Sequence, residues 1–252
     1  MILKNKTILI VGASGLLGSN VVEACQKLGA KVIAADLCIE TMYEKLKNYE
    51  IDLEQISFES LNITSSKSVT GLFAKYESID GAVNCTYPRN KSYGAHFFDV
   101  EIDSFNENLA LHLGSAFLFT QQCAKYFKIH NKAFSLVNIS SVYGVIAPKF
   151  EIYENTSMTM PVEYAAIKSA ILHMSKYAVK FVKDSRFRIN SVSPGGIFDN
   201  QDERFLMSYK KNTNGSGMLD VREIVGSITF LLSDNSKFIT GQNLVIDDGF
   251  SL

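Results

Sequence analysis

Tyr164 and Lys168 stand four residues apart in the stretch Tyr164-Ala-Ala-Ile-Lys168. The run Val162 to Val182 has helical spacing, so the two side chains fall one turn apart on one face. An ammonium beside a phenol favours the phenolate and draws its pKa toward working pH. A tyrosine so placed can exchange a proton with an alcohol or carbonyl oxygen. The same pair occurs by chance in many helices; here it gains weight from following a strand, Phe134 to Ile139, whose end carries Ser140 and Ser141. A serine hydroxyl there can hydrogen-bond a reacting oxygen or serve only as a cap.

A second constellation opens the chain. Val11-Gly12-Ala13-Ser14-Gly15-Leu16-Leu17-Gly18 places glycines at 12, 15 and 18, directly after the apolar run Thr7 to Val11. Gly12 permits a tight turn off the strand, Gly15 lets backbone approach a pyrophosphate, and Gly18 lets a helix pack against the sheet. The helix that follows, Ser19 to Leu28, turns its positive end toward the phosphates and ends at Gly29. Lys31 to Ala35 is the next strand, closed by Asp36. A carboxylate in this register accepts hydrogen bonds from an adenosine ribose and repels a 2′-phosphate. No Lys or Arg lies between Ala13 and Leu17, or at Leu37 and Cys38. The expected cofactor is NAD in preference to NADP.

The elements that must hold these groups alternate regularly. After the opening β-α-β unit come a helix from Ser65 to Tyr76, a strand from Gly81 to Asn84, and one long helix from Asp103 to Ile129. Beyond the strand and helix already named lie a strand from Arg188 to Val192, a helix from Asp220 to Leu232 and a strand from Asn243 to Ile246. The pattern predicts an α/β fold, a doubly wound parallel sheet of about seven strands with helices on both faces. No linker or repeat interrupts it, so residues 1–252 read as one domain. Three irregular stretches, 86–98, 148–161 and 195–217, follow strand ends, where such sheets bind ligands. They are expected to form a substrate site and its lid, although the third, rich in Asn, Asp and Lys, also reads as a surface insertion.

Composition narrows the function classes. The chain is 46% hydrophobic and 20% charged with a formal net charge of −1. It offers no strong field toward nucleic acid or an anionic membrane, and neither is expected as a partner. Cys25, Cys38, Cys85 and Cys123 are scattered, without a C-x-x-C pair or a histidine at ligand spacing. They read as reduced thiols, and no metal site is expected. No apolar run is long enough to span a bilayer, and the short apolar start lacks a cleavage-site pattern, so a cytoplasmic location is expected.

Five segments in order resemble the short-chain dehydrogenase/reductase family: G-A-S-G-L-L-G at the start, V-N-C-T at 83 to 86, N-I-S-S-V-Y-G at 138 to 144, Y-A-A-I-K at 164 to 168, and N-S-V-S-P-G-G-I at 190 to 197. The closing V-I-D-D-G at 245 to 249 is similar too. The resemblance covers nearly the whole chain and implies a single-domain Rossmann fold. It implies that Ser141 hydrogen-bonds the substrate oxygen, that Tyr164 is the general acid/base, and that Lys168 binds the nicotinamide ribose and tunes the tyrosine. It further implies that Asn84 steadies the sheet beside the cofactor, and that backbone from Pro194 through Gly195 to Ile197 lines the carboxamide. Asn62, next to Ile63, stands where the family usually has an adenine-contacting Asp. His112 stands where the family has a fourth catalytic residue, an Asn that holds a relay water. An imidazole donates, accepts and titrates near neutral pH, so His112 could fill that role; it could also be a packing residue, with a water or Asn108 taking over. The glycine spacing departs from that of the family's compact members and is more like its longer sugar-nucleotide members.

Tyr87, Arg89, Asn90, Tyr143, Glu151 and Tyr153 supply polar groups and aromatic faces for a polyhydroxylated or phosphorylated substrate. Arg89 could pair with a phosphate or carboxylate, or stay a solvated loop charge. The segments T-Y-P-R-N-K-S-Y-G and N-L-A-L-H-L-G look like a bacterial subgroup tied to flagellin modification and nonulosonate sugar pathways, which implies a sugar or amino-sugar substrate. Three functions remain open from sequence: an NAD-dependent carbohydrate alcohol dehydrogenase or ketoreductase, a sugar-nucleotide epimerase or dehydratase retaining its NAD, and a non-catalytic nucleotide-binding regulator. The family resemblance also implies a homodimer or homotetramer assembled through the two long helices.

Overall fold

The computed structural model describes residues 1–252. Its strands are β1 (Thr7–Val11), β2 (Lys31–Asp36), β3 (Ile56–Ser60), β4 (Gly81–Asn84), β5 (Phe134–Ile139), β6 (Phe187–Pro194) and β7 (Asn243–Ile246). The helices are α1 (Leu16–Lys27), α2 (Ile39–Leu46), α3 (Ser66–Ala74), α4 (Ile102–Asn108), α5 (Gly114–His130), α6 (Val162–Val182), α7 (Glu203–Lys210) and α8 (Arg222–Leu232). All seven strands join one parallel sheet in the order β3-β2-β1-β4-β5-β6-β7. Strand order reverses between β1 and β4, and a crevice opens there beyond the strand ends.

Alternation along β1 explains the two layers. Ile8 and Ile10 join the core formed with Val21 and Val22 of α1 and Ile228 and Leu231 of α8. Leu9 and Val11 face the other way, onto Val69 and Leu72 of α3 and Phe119 and Cys123 of α5. A strand covered on both faces must be apolar throughout, as T-I-L-I-V is. Truncating one of these fully buried aliphatics to Ala would cost about 2–5 kcal/mol.

The structure corrects the sequence reading in four places. Helix α1 starts at Leu16, not Ser19. Strand β3 and helix α2 were not anticipated, although Met42 and Leu46, one turn apart, are the buried residues of α2. The expected single helix from Asp103 to Ile129 is two helices joined by a wide π-type turn, Leu109–Leu113. The stretch 195–217 is not a plain insertion: it contains α7, whose N-cap Asp202 accepts from the backbone N–H groups of Arg204 and Phe205. No helix is long and apolar enough to cross a membrane.

Candidate active site

At the carboxyl ends of β4, β5 and β6 lies a cavity of about 770 Å³. Tyr164 and Lys168 reach it from α6, Ser141 from the turn after β5, and Pro194, Gly195 and Ile197 from the end of β6. Lys168 is buried, and its Nζ donates to the Ile139 carbonyl at 2.9 Å and lies 5.5 Å from the Tyr164 ring centroid. Burial lowers the Lys168 pKa to about 8. Burial also raises the Tyr164 phenol above its ordinary value, opposed by the neighbouring Ser141 hydroxyl. Burial therefore outweighs the expected activation of the phenol by its lysine. The Ser141 oxygen accepts from the Tyr143 N–H at 3.2 Å, which leaves its own O–H to donate into the cavity. Ser140 points elsewhere, donating to the Lys168 carbonyl at 2.8 Å, and so fastens α6 to β5.

His112 does not line the cavity wall. It is 3% exposed within the wide turn, with its ring 5.0 Å from that of Tyr87. Burial, helped by the Lys168 charge, pushes its pKa down to about 2. The expectation that His112 titrates near neutral pH is thereby corrected: the imidazole is neutral wherever the protein would work. Asn108 is also buried and is committed elsewhere, with Oδ1 accepting from the Asn90 N–H at 3.0 Å.

The glycine loop sits beside this cavity. Gly12 has φ +78°, and a Cβ there would stand 2.9 Å from the Cys85 carbonyl carbon. At Gly18 a Cβ would fall 2.0 Å from the Gly12 carbonyl oxygen, so at this position α1 packs directly on the loop backbone. Gly15 is the N-cap of α1 without a side-chain cap. The N–H groups of Leu16, Leu17 and Gly18 have no acceptor within the helix and face an anion-favouring end. Leu17 also forms part of the cavity wall.

Asp36 is fixed against the loop. Its Oδ2 accepts from the Ser14 N–H at 2.9 Å and the Ser14 hydroxyl at 2.6 Å, and its Oδ1 accepts from the Leu37 N–H at 2.8 Å. A carboxylate has about four acceptor sites, so capacity for a further donor remains. Asn62 uses its carbonyl oxygen on Thr64, from N at 3.0 Å and Oγ1 at 2.7 Å, so only its amide hydrogens are free for a base; the adjacent Ile63 is buried. Asn84 likewise closes a turn, with Oδ1 accepting from Thr86 N at 3.1 Å and Oγ1 at 2.7 Å.

Tyr87, Arg89, Asn90, Tyr143 and Tyr153 all line the cavity; Glu151, expected with them, is exposed and lies outside the wall. The Tyr87 ring packs edge-on against Tyr164 at 5.6 Å between centroids, and its hydroxyl is hydrogen-bonded to that of Tyr93. The Tyr153 hydroxyl donates to that of Tyr143 at 3.3 Å.

Several wall residues were missed. Phe205 and Tyr209, one turn apart on α7, are buried in the cavity wall, and Tyr209 stacks on Phe250 at 4.4 Å. The Tyr209 hydroxyl accepts from the Gly196 N–H at 2.5 Å, and a Cβ on Gly195 would meet that oxygen at 2.6 Å. The Asp202 cap followed by two aromatics at helical spacing was the available signal. Cys85, whose thiol burial pushes up to about 12, had none.

A family profile described as "Enoyl-(Acyl carrier protein) reductase" matches residues 12–251. The chain belongs to the short-chain dehydrogenase/reductase family, a family of oxidoreductases. Among its relatives, post-translational flagellin modification protein A of Campylobacter coli is 39% identical, with 99% of this chain and 100% of that protein covered. A 3-oxoacyl-[acyl-carrier-protein] reductase of Thermotoga maritima is 28% identical, with 99% of each chain covered. A short-chain dehydrogenase of Leptospira borgpetersenii, solved with bound NAD+, superposes with a TM-score of 0.86 at 30% identity, covering 99% of this chain and 94% of that one.

Proposed function

We propose that the chain is an NAD-dependent alcohol dehydrogenase or ketoreductase acting on a small polar, sugar-type substrate. The observation that carries this reading is the meeting of a phenol, an ammonium and a serine hydroxyl in one cavity beside a glycine loop. The left-handed Gly12, the close approach at Gly18, the open first turn of α1 and the Asp36 carboxylate fit a dinucleotide's phosphates and ribose. Bound there, NAD supplies the hydride acceptor and NADH the donor. The NAD+-bound Leptospira relative supports this choice.

The chain's own groups handle the proton. In reduction, Tyr164 donates its phenolic proton to the carbonyl oxygen while the Ser141 O–H donates a second hydrogen bond to the same oxygen. Lys168, held by the Ile139 carbonyl, stabilises the phenolate left behind. In oxidation the same groups run in reverse, with the phenolate taking the alcohol proton. Neutral His112 serves as a fixed wall behind Tyr87 rather than as a titrating relay. Tyr87, Arg89, Tyr143 and Tyr153 orient the substrate, and the likeness to the flagellin-modification relative supports a sugar. The same reading includes a cytoplasmic location and a homodimer or homotetramer joined through α5 and α6, whose exposed Phe117, Tyr177 and Phe181 suit an interface.

The test is a screen of phosphorylated and nucleotide-linked sugars for NADH absorbance change, with Tyr164→Phe as control. The variant is expected to lose turnover and keep NADH binding. Unchanged turnover would refute the role of Tyr164.

A further inference from the structure

The cavity wall carries Arg89, Lys91 and Lys168 and not one Asp or Glu. The whole chain is nearly balanced, with 25 basic and 26 acidic residues, so this local excess of cations is not a reflection of composition. Lys168 is accounted for at the Tyr164 end. Arg89 and Lys91 are not: neither takes part in an ion pair.

The loop between them is anchored rather than free. Asn90, the intervening residue, turns its backbone N–H to Asn108 Oδ1 at 3.0 Å, and its side-chain amide to Ser104 Oγ at 3.1 Å and Glu107 Oε2 at 2.8 Å. Asn108 in turn donates to Glu163 Oε1 at 3.3 Å, within the first turn of the helix that bears Tyr164. Glu107 accepts from Asn90 and Glu163 Oε1 from Asn108, Glu163 Oε2 being buried without a partner, and neither carboxylate is part of the cavity wall. Arg89 is preoriented as well. Its guanidinium lies over the rings of Tyr87 at 5.1 Å and Tyr93 at 5.9 Å. The guanidinium enters no ion pair, and its planar fork of N–H donors suits the paired oxygens of a phosphate or carboxylate.

We infer that the substrate carries an anionic group, a phosphate or carboxylate, that seats between Arg89 and Lys91 at the cavity mouth. The Arg89 guanidinium and the Tyr164 ring both pack against the Tyr87 ring, at 5.1 and 5.6 Å from its centroid, so the anion seat and the proton-transfer end of the cavity share that side chain. This inference rests on the oxidoreductase reading and names the substrate class for that same cavity.

The experiment uses the NADH-saturated protein, so that the pyrophosphate site is already filled. Inorganic phosphate, glucose 6-phosphate, glucuronate and glucose are each titrated calorimetrically into wild type and Arg89→Gln/Lys91→Gln. Wild type is expected to bind at least one of the three anions at least tenfold more tightly than glucose, and to lose that preference as ionic strength rises. The double variant is expected to bind the anions no better than glucose. Glucose 6-phosphate ahead of glucuronate marks a phosphate ester, and the reverse order a carboxylate. The inference is overturned if glucose binds as well as the anions, if no anion binds, or if the double variant keeps the preference. Both substituted residues are exposed, and the salt titration on wild type does not depend on the variant. NADH fluorescence, measured first, separates the two claims: absent NADH binding would defeat the oxidoreductase reading, whereas NADH binding without anion binding defeats only this one.

Discussion

Lys168 donates its Nζ–H to the carbonyl oxygen of Ile139, the last residue of β5, at 2.9 Å. A single hydrogen bond thus ties the amine of the catalytic helix to the strand whose following turn carries Ser141. The bond fixes where the charge can sit relative to Tyr164, and burial decides how readily that charge is lost.

Lys168→Met should therefore have two separable effects. It removes the partner of the half-buried Ile139 carbonyl, costing about 0.5–1.5 kcal/mol in thermal or denaturant unfolding. It should also cut turnover by about 10²–10⁴-fold, beyond what lost folding explains. Because burial lowers the Lys168 pKa to about 8, the amine is cationic below that pH and neutral above it. The kcat/KM for carbonyl reduction should fall as pH rises through about 8 in wild type, and this limb should vanish in the variant. Persistence of the limb in Lys168→Met would assign it to another group.

His112 leads to an opposite expectation. With its pKa at about 2 in the folded chain, against an ordinary value near 6.5, the unfolded chain binds the extra proton between those values. Stability contributed by neutral His112 is then complete above about 6.5 and lost as pH falls, by roughly 1.4 kcal/mol per unit. Unfolding midpoints of wild type and His112→Gln should converge or cross on acidification from pH 7 to 4. Kinetic profiles of the two should share their shape between pH 5 and 8. A wild-type limb near 6.5 that disappears in the variant would restore a titrating relay.

The three loop glycines should not be equivalent. Gly18→Ala drives a methyl into the Gly12 carbonyl, whereas Gly15→Ala brings one only to 3.3 Å of the same oxygen. NADH affinity is expected to fall at least about tenfold for Gly18→Ala and markedly less for Gly15→Ala. Equal losses in a fluorescence titration would mean that the packing of α1 on the loop is not what positions its N-terminus.

Asp36 offers a test of cofactor choice. Replacing it with Ala removes a negative charge from the end of β2 and releases the Ser14 hydroxyl. The ratio of kcat/KM for NADPH over NADH should rise about tenfold or more, corresponding to about 1.4 kcal/mol. An unchanged ratio would place the discrimination elsewhere.

Much of this architecture was readable from residue order. The runs at β1, β4, β5 and β7 match their strands residue for residue; the first three lie in the sheet interior, where burial on both faces favours apolar residues, whereas β7 is a partly exposed edge strand. Strand β3 lies at the sheet edge with an Ile-Ser-Phe-Glu-Ser alternation and only Ile56 buried, and so gives a weak signal. The break at Leu109–Leu113 left none, since Leu-Ala-Leu-His-Leu is as regular a helical sequence as its flanks. At the site, the spacing of Tyr164 and Lys168 was local and could be read. The neutrality of His112 and the anchoring of Asn90 arise from contacts between distant segments, and local pattern does not encode them.

The wide turn at Leu109–Leu113 has a consequence for how α4 and α5 relate. One surplus residue in a helix rotates everything beyond it by about 100°. Removing a single residue there would leave both helices intact yet swing Asn108 away from Asn90, or His112 away from Tyr87. The chain thus stores a phase offset between the helix that braces the cavity mouth and the helix that covers the sheet, one that a one-residue deletion would erase without touching any wall residue.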